Sequence, residues 1–65
     1  TMTVHGALKL LGLSTQAGAA VTLASIREAY RTQAMAAHPD AGGSAETMRR
    51  LNEAYRMLRE LYRKQ

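Results

Sequence analysis

Cysteine, tryptophan and phenylalanine are all missing from this 65-residue chain, and it holds a single proline. Without cysteine there is neither a disulfide framework nor a thiolate zinc site, so packing alone has to hold the fold. Without Trp or Phe the core lacks the side chains that bury the most area. The 46% hydrophobic content includes twelve alanines, and three tyrosines are the only aromatics. A long apolar run is also absent. "LLGLSTQAGAAVTLASI", residues 10 to 26, carries no charge but is broken by Gly, Ser, Thr and Gln and is too polar to span a membrane. No cleavable secretory signal is recognisable, and a chain opening on Thr1-Met2 leaves any targeting segment outside it open. A chain of this size makes one small domain, burying about 60% of the surface that its unfolded form exposes.

Acidic residues are scarce relative to basic ones. Five Asp and Glu stand against nine Lys and Arg, for a net charge of +4 and an isoelectric point near 10.1. That balance favours an acidic partner, whether nucleic acid, anionic membrane or acidic protein surface, and does not choose among them.

What is present reads as helix. Thr3 can cap a short helix I over residues 4 to 11, in which Val4, Ala7, Leu8 and Leu11 recur at spacings of three and four, with Gly12 suited to ending it. From Leu13 to Val21 small and polar residues around Gly18 predict a loop whose Ala-rich part is partly helical. Thr22 caps helix II, about 23 to 37, whose period is carried by Leu23, Ile26, Ala29, Tyr30, Ala34 and Ala37. Pro39 stops it, because the residue before proline is pushed out of helical geometry. Asp40, Gly42 and Gly43 make a turn within the loop 38 to 43, and Ser44 caps helix III, about 45 to 63. Met48, Leu51, Tyr55, Leu58 and Tyr62 form one apolar stripe on helix III, with Arg49, Arg50, Glu53, Arg56 and Arg59 mostly facing away. A short connection between two long helices predicts an antiparallel hairpin with helix I lying across it: an all-α fold in one domain, residues 1 to 65.

His38, Pro39 and Asp40 therefore sit at the hairpin's tip. A histidine two residues from an acid suggests catalysis, but there is no cysteine nucleophile, and Ser14, Ser25 and Ser44 read as loop or capping residues. One further histidine, His5, leaves a metal site without a ligand spacing that matches a known pattern. Neither an enzyme nor a metal or cofactor site is expected. An imidazole and a carboxylate held outward by a rigid proline on a basic scaffold suit docking better than turnover.

These residues resemble a known family. "ALKLLGL" at 7 to 13, "TLASIREAYR" at 22 to 31, "HPD" at 38 to 40 and "RLNEAYRML" at 50 to 58 together, in that order, resemble the J domain of the DnaJ co-chaperones. The resemblance implies a J-domain fold, with a short helix I packed on the helix II/III hairpin and the HPD loop at its tip; as a departure from the family pattern, "LRELYRKQ" continues the helical pattern to the end, so helix IV is expected to be absent. It implies a monomeric co-chaperone module that docks on a DnaK-type 70-kDa heat-shock chaperone and stimulates the ATP hydrolysis carried out by that partner. The implied contact residues are His38, Pro39 and Asp40 with Arg27, Tyr30 and Arg31 of helix II, together with Arg49 and Asn52 of helix III. Asp40 would meet an arginine of the partner, and Asn52 would either brace the tripeptide loop or simply be surface. The helix II face is thinner in charge than the family pattern, with Thr32, Ala36 and Ala37 where basic or Tyr residues are common. Tyr55, Tyr62 and the four methionines are expected to be packing or ragged ends, whereas Tyr30 is balanced between core and contact. A cytoplasmic location is expected, or a cytoplasm- or matrix-facing domain of a larger, tethered protein. Two alternatives remain at this point: a degenerate J-like recruiter that does not stimulate, and a basic helical module for nucleic acid.

Overall fold

The computed structural model describes residues 2–16 and 18–63. Three α-helices, α1 (Val4–Leu10), α2 (Leu23–Ala37) and α3 (Ala45–Arg63), are joined by an irregular segment and by a one-turn 3-10 helix at Pro39–Ala41, with no strand among the described residues. The fold is all-α, and its helices pack in the J-domain manner.

Each helix start is made by a hydroxyl that satisfies an amide the helix itself leaves unpaired. The Gly6 N–H donates to Thr3 Oγ1 at 3.0 Å. At α2 the pairing is reciprocal, since the Ser25 N–H donates to Thr22 Oγ1 and the Thr22 N–H donates to Ser25 Oγ, at 3.1 and 2.9 Å. The Thr47 N–H donates to Ser44 Oγ at 3.1 Å before α3. Between α1 and α2 the described residues form turns and bends without a helix, and the Ala-rich expectation for this stretch falls partly on Ala17, outside the described residues.

α3 is the central element. It packs on α2 along one side and on α1 along another, so its buried face is wider than the stripe read from the sequence. Leu51, Leu58 and Ala54 are all buried, and Ala54 is fully covered. The core gathers Ala7, Leu8 and Leu11 of the first helix and its cap, Ile26 and Ala37 of α2, and these three residues of α3. The four fully covered Leu and Ile side chains, Leu11, Ile26, Leu51 and Leu58, each contribute about 1.5–3 kcal/mol through burial. No side-chain N or O atom is left buried without a partner among the described residues.

α2 and α3 run antiparallel. Ala37 meets Gly43 beside the turn, while further from it Tyr30 meets both Asn52 and Tyr55. No helix among the described residues is long and apolar enough to cross a membrane.

Candidate functional site

The tip is built from four hydrogen bonds, three of them between backbone groups, and two glycines. His38 ends α2 in extended geometry, with φ −63° and ψ 137°, as a residue before proline must. Its carbonyl accepts from two amides, Ala41 N–H at 2.9 Å and Gly43 N–H at 3.0 Å, and the Gly42 N–H donates to the Pro39 carbonyl at 3.1 Å. The fourth bond comes from the side chain: the Asp40 N–H donates to His38 Nδ1 at 3.2 Å. The imidazole thus caps the one-turn helix that begins at Pro39.

The paired glycines serve different needs. Gly42 holds φ at +91°, a left-handed conformation that costs other residues roughly 1–2 kcal/mol. Gly43 has an ordinary φ, but a β-carbon there would overlap the carbonyl group of Ala37. The first glycine turns the chain, and the second lets the start of α3 close against the end of α2.

The product is a bend that presents its polar groups to solvent. The Asp40 side chain is 95% exposed and that of His38 56%. Asp40 Oδ2 lies 3.7 Å from His38 Nδ1, but that nitrogen already accepts from the Asp40 amide, so the neutral ring has no proton there to offer the carboxylate. The shorter contact decides the arrangement, and the carboxylate is left free for another group. Among the described residues no cluster of three His, Asp or Glu side chains is placed to hold a metal ion.

Leading away from the tip, a groove between α2 and α3 is lined by Arg27, Tyr30 and Arg31, by Met35 and His38 towards the tip, and by Tyr55 across from them. Arg27, Arg31 and Met35 follow one another at intervals of four, on one side of α2. Met35 is 70% exposed, which corrects the expectation that it packs; an apolar side chain stands open beside the two cations. Tyr30 is half-buried, its ring stacked on Tyr55 at 4.4 Å between centroids and 19° between planes. Its hydroxyl donates to Asn52 Oδ1 at 2.5 Å. Tyr30 thus packs partly against the core while its ring also lines the groove.

Of the residues singled out in the sequence, His38, Arg27, Tyr30 and Arg31 come together on this groove, with Pro39 and Asp40 exposed at its end. Arg49 is exposed on the polar side of α3, beside Asn52 and Arg56 and off the groove. Asn52 reaches Tyr30 rather than the tripeptide loop. Met35 and Tyr55, which the sequence pattern assigns to packing, join His38, Arg27, Tyr30 and Arg31 as groove residues. The spacing of Met35 from Arg31 was a usable signal for the first, whereas no local signal announces a stack between rings 25 positions apart.

Comparison with known proteins bears on the whole arrangement. The tetratricopeptide repeat and J domain-containing co-chaperone DNJ1 of Cryptococcus neoformans var. grubii is 56% identical over 34 residues, covering 52% of this chain and 6% of that protein. Its counterpart from Mycosarcoma maydis is 51% identical over 37 residues, 57% of this chain and again 6% of the relative. The chain therefore corresponds to a small part of the length of these curated relatives. No solved structure matches it. The family model for the DnaJ domain matches residues 8–65. A match that begins inside α1 and runs through both long helices is a match to the fold as a whole, and this chain belongs to the DnaJ domain family.

Proposed function

We propose that the chain is a co-chaperone module that docks on a DnaK-type 70-kDa heat-shock chaperone and stimulates its ATP hydrolysis through the His38–Pro39–Asp40 loop. Family membership supports this reading, as do two relatives that are co-chaperones by name. The observation that carries it is the Asp40 carboxylate, almost fully exposed on a bend fixed by hydrogen bonds and by proline. A backbone held this way has little freedom left to lose on binding, and the free carboxylate it carries suits a charge-assisted bond to a partner arginine. Arg27 and Arg31 steer the approach of an acidic surface, and Met35 adds apolar contact beside them. The chain performs no chemistry itself. It accelerates hydrolysis by binding one conformation of the chaperone more tightly than another, the only way a bound protein can shift its partner's states.

The test is single-turnover ATP hydrolysis by the chaperone with wild type, His38→Gln and Asp40→Asn, each checked for helix content by circular dichroism. The wild type should stimulate and both variants should not. Loss of a charged hydrogen bond should weaken binding about tenfold to a hundredfold for Asp40→Asn. Equal rates for the three folded proteins would remove the proposal. A second reading has one observation in its favour: the tip-facing row of α2 holds two cations and then Met35, a light charge for a docking face. A recruiter without stimulation would bind the chaperone through the same loop and leave its hydrolysis rate unchanged.

A further inference from the structure

The outer side of α3 carries several arginines that are not equivalent in their surroundings. Arg63 is held by Glu60, with Nη2 donating to both carboxylate oxygens at 2.8 and 3.0 Å. Arg49 and Arg56 flank Glu53 and Asn52 along a shallow depression away from the groove. Arg59 differs from all of these. Its guanidinium carbon lies 5.2 Å from the centroid of the Tyr55 ring, within the range of a cation–π attraction, and it forms no ion pair with the described residues.

The ring that holds Arg59 is itself part of the groove. Tyr55 stacks on Tyr30, and Tyr30 sits on α2 between Arg27 and Arg31, its hydroxyl fixed by Asn52. Two stacked rings thus join a cation of α3 to the two cations of α2, and no acidic side chain lines the groove among them. A cation held by a ring face uses none of its N–H donors in doing so, and these remain free for a carboxylate. The arrangement orders the long side chain in advance, which lowers the entropy lost when a partner binds.

We infer that Arg59 is a third cation of the docking surface, presented by the Tyr55–Tyr30 stack to carboxylates on the chaperone that the HPD loop engages. The inference rests on the docking reading above. It makes the basic surface a feature of both helices, and this offsets the light charge of α2. The occupant is the acidic surface of the same partner, because Arg59 lies against Tyr55, a lining residue of the groove that leads to the tip, whereas Arg49 and Arg56 line a separate depression.

The experiment titrates the full chain into the single-turnover ATPase assay of the chaperone at low and physiological salt. It compares wild type with Arg59→Gln, Arg59→Lys, Arg63→Gln and Asp40→Asn, each verified by circular dichroism. Arg59→Gln should raise the concentration for half-maximal stimulation about three- to tenfold with the maximum unchanged, and the difference should shrink at higher salt. Arg59→Lys should recover part of the loss, and Arg63→Gln should change it less than about twofold because its charge is already paired. If Arg59→Gln superimposes on wild type, or lowers only the maximum, while Asp40→Asn abolishes stimulation, Arg59 has no part in docking and the HPD reading stands. If the wild type neither binds nor stimulates, both fall together.

Discussion

His38 and Asp40 are joined through the backbone of one and the ring of the other: the Asp40 amide donates to His38 Nδ1 at 3.2 Å, and the Asp40 carboxylate stays outside that bond. The imidazole is thus a structural acceptor in the loop, standing where the side chain of an Asx turn stands, two residues before the amide it binds. The geometry fixes the neutral ring as the tautomer protonated on Nε2, which leaves that edge available to a partner.

This relationship separates two substitutions that remove the same imidazole. His38→Asn places an amide oxygen where Nδ1 was and should keep the Asp40 amide bonded, whereas the longer side chain of His38→Gln should not. A net hydrogen bond of about 0.5–1.5 kcal/mol corresponds to slower exchange of the Asp40 amide by up to roughly tenfold. Amide exchange by NMR on the two variants and wild type measures it. Indistinguishable Asn and Gln variants would mean that the ring does not shape the loop.

Gly42 and Gly43 should respond very differently to the same methyl group. Gly42→Ala introduces a left-handed alanine with open space around it and should cost about 1–2 kcal/mol. In a domain of this size that lowers the melting temperature by roughly 4–8 °C for each kcal/mol. Gly43→Ala drives a β-carbon into the Ala37 carbonyl, and the hairpin has to open to relieve it. The cost should exceed about 4 kcal/mol, the range of severe backbone or core disruption, a large part of a total stability of about 5–15 kcal/mol. Thermal melts followed at 222 nm rank the two; similar melting temperatures would refute the close approach of α2 and α3 at this point.

Tyr30 and Asn52 offer a cleaner measurement of how the hairpin is braced. Tyr30→Phe keeps the stack on Tyr55 and removes only the hydroxyl, while Asn52→Ala removes the acceptor on an exposed position of α3. A double-mutant cycle from urea denaturation should return a coupling of about 0.5–1.5 kcal/mol. Strict additivity would show that the contact contributes nothing in solution.

The fold class and the family were both legible in the sequence, because capping hydroxyls, apolar spacing and one proline act locally and leave local marks. Thr22 and Ser25 announce the start of α2 within four residues, and Pro39 announces its end. The features that escaped depend on contacts between distant segments. Ala54 reads as an indifferent helix former, yet it is fully buried in the shared core. Gly43 looks like a second flexible residue, yet it is required by the carbonyl of Ala37 rather than by its own dihedral angles. At the site, the tripeptide and the arginine spacing on α2 could be read in one dimension, but the Tyr30–Tyr55 stack and the arginine over it could not. Met35 differs for a related reason: an apolar residue in a helix suggests a core, and only the packed hairpin reveals that this side chain stands exposed at the groove.

The stacked tyrosines also give the protein an optical handle. A chain without tryptophan emits only from its three tyrosines, and two of them lie ring upon ring on the groove that leads to the tip. Their coupled near-ultraviolet dichroism reports the register of α2 against α3 directly, without a label. A short acidic peptide free of aromatic residues, bound in that groove, would announce itself as a change in the protein's own spectrum.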